Sequence, residues 1–395
     1  MDEEKILSQF EIEFLSLLRE REKDQGLRIV KAKDKPGCKP GDNYMSIIIR
    51  TEIEGILGNG TACKKSFITK RFPCDPLLVA SVRTAELFRN EVYVYRKFLP
   101  LLGPFGPELI YADHEKIIME DLSLEKFSIH DRLSLLDLEH CTAVIETMAS
   151  FHAKSLSIKL KDPAYFQRLI EPMIEVVYPS DEKPSIGRSI EHSLNSAIQS
   201  LEAIPTLTRE IVEAIHFLKA HVNNAYNIMR DLINSSGKHH VLTHGDVWIN
   251  NILFSRNNKN LRVKLVDFQG ARHASLATDF HYFVYSSSRT SVIEENYDDL
   301  VKLYHSSFLR ALQELNVPEK DYQCLNVEWF NKELRKYALF GLFSALSLVH
   351  VILTNSSLKI NTSEDISAHR SNIPITAEKT KRIECIVSHY IRTYM

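Results

Sequence analysis

The sequence predicts an α+β chain of two lobes: a small antiparallel-sheet lobe, then a large, mainly helical lobe that contains one β-hairpin. Three observations lead there. Before residue 121, short apolar runs alternate and are broken by Gly- and Pro-rich turns. After it, apolar residues recur every three or four positions over long stretches. One polar turn, Ser255-Arg256-Asn257-Asn258-Lys259-Asn260, then separates two apolar runs within the helical half. A length of 395 residues suffices for two or three structural units, and the boundaries fall at 1–121 and 122–395.

Residues 5–22 carry Ile6, Phe10, Phe14, Leu17 and Leu18 at helical spacing with charges between them, which predicts an amphipathic helix. Pro36-Gly37-Cys38-Lys39-Pro40-Gly41-Asp42-Asn43 is dense in turn formers and leads into a strand over 44–51 with the β-branched run Ile47-Ile48-Ile49. Gly55, Gly58-Asn59-Gly60 and Thr61 mark the turn to a second strand over 65–72. From 82 to 99 the period becomes helical, with Phe88, Val92, Tyr95 and Leu99 in one stripe, until Pro100, Gly103-Pro104 and Gly106-Pro107 end it. Short strands follow over 109–112 and 116–119.

In the second half, 137–156 reads as a helix with Leu138, Cys141, Ile145, Met148 and His152 on one face. Residues 172–205 are irregular in period. Residues 209–233 read as one long helix built around Ile211, Ile215, Leu218 and Val222. Runs over 251–254 and 261–266 flank the polar turn as a hairpin, and helices resume after Asp279. Residues 337–358 hold no Asp, Glu, Lys or Arg and are long enough to cross a bilayer. Their strongly apolar part stops at Leu353, however, and Ser344, Ser347 and His350 interrupt it. A helix buried in a large helical domain of a soluble chain is the better reading.

Composition narrows the function. Lys plus Arg number 49 and Asp plus Glu 51, for a net charge of -2. That balance argues against a nucleic-acid binder or a membrane-surface protein driven by basic residues. The six cysteines (38, 63, 74, 141, 324 and 385) include no CxxC, which predicts reduced, mostly buried thiols of an intracellular protein. The acidic start Met1-Asp2-Glu3-Glu4-Lys5 lacks an apolar signal core, so a cytoplasmic monomer is expected.

The chemistry concentrates in Leu242-Thr243-His244-Gly245-Asp246-Val247-Trp248-Ile249-Asn250-Asn251-Ile252-Leu253-Phe254. Asp246 and Asn251 bracket a short loop whose far end becomes the first hairpin strand. Asp267 ends the partner strand, in Val263-Lys264-Leu265-Val266-Asp267-Phe268-Gln269-Gly270. A hairpin sets the start of one strand beside the end of the other, so Asn251 and Asp267 can face one point although 16 positions separate them. An amide oxygen and a carboxylate there are hard ligands suited to Mg²⁺, which also takes phosphate oxygens. Asp246 can orient a hydroxyl or accept its proton, and phosphoryl transfer asks little more of a base. In the first lobe, Glu91 shares a helical stripe with Phe88 and Tyr95, and a carboxylate on an apolar stripe needs a cation. Lys70, in an otherwise apolar strand, has the complementary need; Lys64, Lys65 and Arg71 are rival cations.

The order Lys70, Glu91, His244-x-Asp246, Asn251, Asp267 resembles the protein-kinase-like fold in its small-molecule branch, which includes choline and aminoglycoside phosphotransferases. Within it, Pro36-Gly37-Cys38-x-x-Gly41-Asp42-Asn43-Tyr44-x-Ser46, Glu120-Asp121-Leu122, His244-Gly245-Asp246-x-Trp248 and Asp267-Phe268-Gln269 resemble the ecdysteroid kinase-like (CHK kinase-like) family of insects. The resemblance implies an ATP- and Mg²⁺-dependent kinase of a small-molecule hydroxyl, an ecdysteroid first and a hydroxylated xenobiotic next. It implies Asp246 as the catalytic Asp, Asn251 and Asp267 as metal ligands, and Lys70 with Glu91 at the phosphates. It also implies Gly41, Asn43 and Ser46 in the loop over the phosphates, and a hinge at Glu120 to Leu122 that meets adenine through its backbone. His244 would brace the loop, and Asp279 would cap the helix at Phe280. Trp248, Tyr282 and Tyr285 are candidate acceptor-pocket residues.

Two departures from protein kinases matter. Gly245 stands where they carry an Arg that receives an activation-loop phosphate, and Gln269 replaces the flexible glycine after Asp-Phe. Both disfavour a protein Ser/Thr kinase. A catalytically silent steroid- or lipid-binding relative is the remaining alternative, against which the retention of all five key residues speaks.

Overall fold

The computed structural model describes residues 9–38, 46–73, 83–180, 185–258, 260–353 and 376–395. Packing divides them into two units: the described residues of 1–74 and 107–125 form one, and those of 75–106 and 126–395 form the other.

In the first unit, helix α1 (Gln9–Glu22) covers a five-stranded antiparallel sheet built from β1 (Arg28–Pro36), β2 (Ile47–Ile56), β3 (Ala62–Arg71), β4 (Leu109–Ala112) and β5 (Lys116–Glu120). The strand order is β1-β2-β3-β5-β4. Phe14 and Leu18 of α1 are buried with Leu27, Ile53, Phe67 and Ile118, and the Phe14 and Phe67 rings meet edge-on at 5.0 Å. Such alternation of inward apolar and outward polar residues fixes the register, since a one-residue slip would turn every side chain over. The sequence reading missed β1. It is an edge strand, mostly exposed, whose lysines mask its apolar residues and blunt the open edge.

The second unit begins with α2 (Thr84–Tyr93), which runs through a widened turn over Val94–Phe98 into a short helix over Leu99–Leu102. The sequence boundary at 121 assigns α2 to the sheet lobe, whereas its contacts join it to the helical unit. Asn90 Nδ2 donates to Ile174 O at 2.6 Å, Ile174 N donates to Asn90 Oδ1, and Tyr93 OH donates to Leu169 O. Next come β6 (Ser128–Ile129) and α3 (Leu138–Lys161), which starts where Asp137 accepts from His140 N. After α4 (Pro163–Ile170) lies α5 (Ser185–Glu202), where an irregular segment was expected. Its signal was present: Ile190, Leu194, Ala197, Ile198 and Leu201 recur at helical spacing and are all buried. The expected single helix over 209–233 is two, α6 (Arg209–His221) and α7 (Ala225–Ile233), with a tighter turn over Val222–Asn224 between them. Asn223 and Asn224 there are poor helix formers.

Strand β7 (Val241–Thr243) leads into the loop of interest. The hairpin is β8 (Ile252–Asn257) with β9 (Asn260–Leu265), paired Ile252↔Leu265 through Asn257↔Asn260, so its turn is tighter than the six-residue polar run suggests. Strand β10 (Arg272–Ala274) pairs antiparallel with β7. Helices α8 (Leu276–Ser287), α9 (Thr290–Glu314), α10 (Val327–Ile352) and α11 (Ala377–Tyr394) complete the unit. Helix α10 contains the stretch apolar enough to cross a membrane, but 67% of that stretch is buried inside the protein, against α8 among others. Gly341 permits this approach, because a Cβ there would lie 2.3 Å from His281 Cβ. The cysteines depart from expectation: of the five described, all free thiols, only Cys141 and Cys385 are buried.

Candidate active site

The segment 244–251 leaves β7, turns sharply at Gly245 and ends in a single helical turn at Ile249–Asn251 before β8. Gly245 has φ 80, and a Cβ there would lie 1.9 Å from Gly270 O, so only glycine fits. Below the turn sits Asp279. Its Oδ2 accepts from His244 N at 2.6 Å, and its Oδ1 accepts from Gly245 N at 2.9 Å. His152 Nε2 lies 3.1 Å from the same Oδ2, and His152 Nδ1 lies 2.6 Å from Tyr304 OH. Burial pushes the Asp279 pKa up, but the hydrogen bond and charge of His152, the charge of His244 and the Gly245 N–H together hold it below its ordinary value. The expectation that Asp279 caps a helix is corrected: Ser275 is the cap of α8, and Asp279 lies inside that helix, clamping the loop.

His244 braces the loop, as the resemblance implies. Its Nε2 lies 3.0 Å from Val266 O, and its Nδ1 accepts from Asp246 N at 3.3 Å, an arrangement that fits the tautomer with the proton on Nε2. Burial lowers its pKa, which keeps the ring neutral.

Asp246 itself is held on both sides. Tyr282 OH donates to Oδ1 at 2.5 Å, and Asn251 Nδ2 donates to Oδ2 at 3.0 Å and to the Asp246 carbonyl at 2.9 Å. Burial raises the Asp246 pKa to about 6; Tyr282 and Asn251 pull it down, while the Asp267 charge pushes it up. Asn251 O accepts from Val266 N at 3.0 Å, which ties the start of β8 to the residue before Asp267. Asp267 stands in the left-handed region at φ 66, a conformation that Asp tolerates better than most residues. Phe268, fully buried, pins the turn between the rings of His244 at 4.7 Å and Tyr95 at 5.7 Å. Asp246, Asn251 and Asp267 therefore lie together, as the hairpin argument requires. Glu91 is near them as well: both it and Asp267 raise the pKa of buried Tyr95.

The other expected site residues fall as follows. Lys70 is buried on β3, paired in register with Ile48 and Ile117. It and Glu91 belong to different units, each described within its own. Gly41 and Asn43 lie outside the described residues, and Ser46 immediately precedes β2. Glu120 ends β5, its N–H donating to Glu108 O at 3.0 Å, and buried Leu122 starts the turn that follows. Between them, Asp121 accepts from Arg50 Nε at 2.8 Å and Ser66 Oγ at 2.6 Å, which locks the segment to β2 and β3. The sequence reading took Tyr282 for an acceptor-pocket aromatic and did not foresee its bond to Asp246, which no local motif signals. Tyr285 points away into the core, its OH 3.0 Å from His389 Nδ1.

An antiparallel-sheet unit, a helical unit and a loop-and-hairpin cluster of two carboxylates and an amide agree with the small-molecule kinase class that the family match shows. Residues 40–317 match the ecdysteroid kinase-like family, and the chain belongs to it. No curated protein sequence matches it. Among solved structures, an ethanolamine kinase from Plasmodium vivax is similar at 11% identity and a TM-score of 0.42, with 98% of this chain and 89% of that chain covered. A microcompartment-associated aminopropanol kinase is similar at 12% identity and a TM-score of 0.33, with 82% and 92% covered.

Proposed function

We propose that this chain is an ATP- and Mg²⁺-dependent phosphotransferase that moves the γ-phosphate of ATP to an alcohol group of an ecdysteroid or a related hydroxylated compound. The observation that carries this reading is the joint fixation of Asp246, Asn251 and the Asp267 turn around one point. Asn251 spends its Nδ2 on Asp246, which turns its Oδ1 to the other side of the planar amide. That oxygen and the Asp267 carboxylate form a hard donor pair. Among the described residues no group of three or more His, Cys, Asp or Glu is placed so that it could hold a metal ion. Such sparse protein ligation suits Mg²⁺, which keeps places for water and phosphate oxygens. Bound there, the ion would offset charge on the phosphate oxygens.

Asp246 orients the acceptor hydroxyl and takes its proton as the new O–P bond forms and the bond from the γ-phosphorus to the bridging oxygen breaks, releasing ADP. Its carboxylate is desolvated, yet it is kept available by two hydrogen bonds. In the same reading Lys70 meets the nucleotide phosphates with Glu91 as its partner, the 41–46 loop with Gly41, Asn43 and Ser46 covers them, and the Glu120–Leu122 backbone meets adenine. The family membership and the burial of Lys70 and Glu91 support these roles. ADP release measured against a panel of ecdysteroids and plant phenolics, with Asp246→Asn as control, is the test. Turnover on at least one such alcohol, lost in Asp246→Asn, is expected. Steroid binding without turnover, or turnover on protein substrates alone, overturns the reading.

A further inference from the structure

Helix α8 grips the loop of residues 244–251 at three levels. Asp279 accepts from His244 N and Gly245 N, Tyr282 OH donates to Asp246 Oδ1 at 2.5 Å, and Ser287 Oγ accepts from Ile249 N at 3.0 Å. Asp279 and Tyr282 stand three residues apart, so they share a face of the helix. Asp279 and Ser287 hold backbone, whereas Tyr282 holds the side chain assigned to the reaction. We propose that Tyr282 is a positioning residue for phosphotransfer: its hydroxyl turns the Asp246 carboxylate so that a fixed lone pair meets the acceptor hydroxyl. The inference rests on the role proposed above for Asp246.

Exposure singles this residue out. Every other residue of α8 from Leu276 to Ser287 is buried, and Tyr282 is partly exposed. Asp246 is partly exposed as well, so the bonded pair keeps a side open to an arriving molecule. The rest of the helix is fixed from behind. His281 Nε2 lies 2.8 Å from Leu334 O, and Phe280 and Phe283 are fully buried. A group carried on such a helix is placed more precisely than one on a loop.

A carboxylate turns easily about its last bond, because that torsion has broad wells. One donor fixes one oxygen and leaves the plane free to rock about it; donors on both oxygens fix the plane. Asn251 Nδ2 supplies one, to Oδ2 at 3.0 Å, and Tyr282 supplies the other. The two oxygens offer about four lone-pair sites. With one on each oxygen filled, an incoming hydroxyl has few directions left, and a misplacement on the order of 1 Å costs about 10²-fold in rate. The phenol also keeps its proton. Burial of most of the ring, and then the charge of Asp246, raise its pKa well above the ordinary value, so the O–H stays a donor.

The test uses the full chain, ATP with Mg²⁺, and whichever alcohol of the ecdysteroid and phenolic panel is turned over. Tyr282→Phe keeps the ring and removes the donor. Its kcat should fall about tenfold or more, part of the about 10²–10⁴ that a positioned base supplies, with the ATP KM unchanged. In an Asp246→Asn background the same change should alter kcat by less than about twofold, because no base remains to be aimed. A residue that only packs would cost the same factor in both backgrounds. Tyr282→4-aminophenylalanine restores a donor at equal size and should recover kcat to within about threefold of wild type; it decides the matter should Asp246→Asn turn over too slowly to read. A kcat of Tyr282→Phe within twofold of wild type overturns the inference and leaves the proposed function standing. So does an equal loss in both backgrounds, or no recovery by the amine. No turnover of any alcohol by the wild type removes the proposed function, and this inference with it.

Discussion

Replacing Asp279 by Asn keeps the size of the side chain and removes one acceptor from a site where three donors converge. His244 N and His152 Nε2 meet Oδ2, and Gly245 N meets Oδ1. The less costly placement of the amide keeps its oxygen at the doubly used position and turns its NH₂ against the Gly245 N–H. One charge-assisted hydrogen bond is lost, about 1.5–3 kcal/mol, and two buried donors face each other without acceptors, about 1–3 kcal/mol more. The sum is about 2.5–6 kcal/mol, which at about 2 °C per kcal/mol for a chain this long lowers the Tm by about 5–12 °C. Gly245 is also released from its anchor, and Asp246 moves with it. A shift on the order of 1 Å at a reacting group costs about 10²-fold in rate. We expect kcat of Asp279→Asn, measured at 15 °C where the variant remains folded, to fall by about 10- to 100-fold. His152→Phe is the comparison: it removes the third donor and leaves both loop bonds, so it should lower the Tm while keeping kcat within a few-fold. Asp279→Asn with kcat within twofold of wild type would refute the claim that this carboxylate sets the loop.

Other outcomes follow from the same geometry. Gly245→Ala forces a Cβ to 1.9 Å from Gly270 O at a positive φ, so it should destabilise by about 1–3 kcal/mol or more and abolish turnover, read by thermal melt and ADP release. Asn251→Ala removes the bond to Asp246 and, on the proposed function, an oxygen ligand; the Mg²⁺ concentration for half-maximal rate should rise at least about tenfold, against no change if Asn251 only shapes the loop. Acid should also unfold the protein through His281 and His389, both buried and held by burial at a pKa of about 4. The folded values lie below the ordinary 6.5, so the unfolded chain takes the protons first. Their contribution to stability is complete above pH 6.5 and is lost as pH falls from there toward 4, at about 1.4 kcal/mol per pH unit for each ring. His389→Gln should flatten the fall in Tm between pH 7 and pH 5; an unchanged slope would remove that ring from the account.

Much of this architecture was legible because its signals are local. The hairpin followed from two apolar runs around a polar turn, and with it came the meeting of Asn251 with the Asp267 turn, since strand pairing converts sequence distance into contact. Helix α5 was missed where Pro172 and the Ser-containing segment around it drew attention from the Ile190, Leu194, Ile198 stripe. Strand β1 was missed because an exposed edge strand rich in lysine carries almost no hydrophobic alternation. Tyr282 bonds to Asp246 from α8, and Arg272 on β10 acts on it through its charge, both brought there only by tertiary structure. No spacing rule announces such partners. The same reason hid the attachment of α2 to the helical unit, which rests on side chains such as Asn90 meeting backbone 84 positions away.

The clamp and the glycine together explain why this loop needs no phosphate to assemble it. In a protein kinase the residue before the catalytic Asp is an Arg that waits for an activation-loop phosphate. Here no side chain of any kind can occupy that place, because the first atom beyond Cα would strike Gly270 O. The cation is therefore excluded by backbone packing and not by chance of composition. What fixes the loop instead is Asp279, whose pKa is held below its ordinary value, so that it stays charged at any physiological pH and engaged with two successive backbone N–H groups. That carboxylate and His152 behind it are both buried, so neither is accessible to modification. The loop is held in place by these buried contacts of the fold itself.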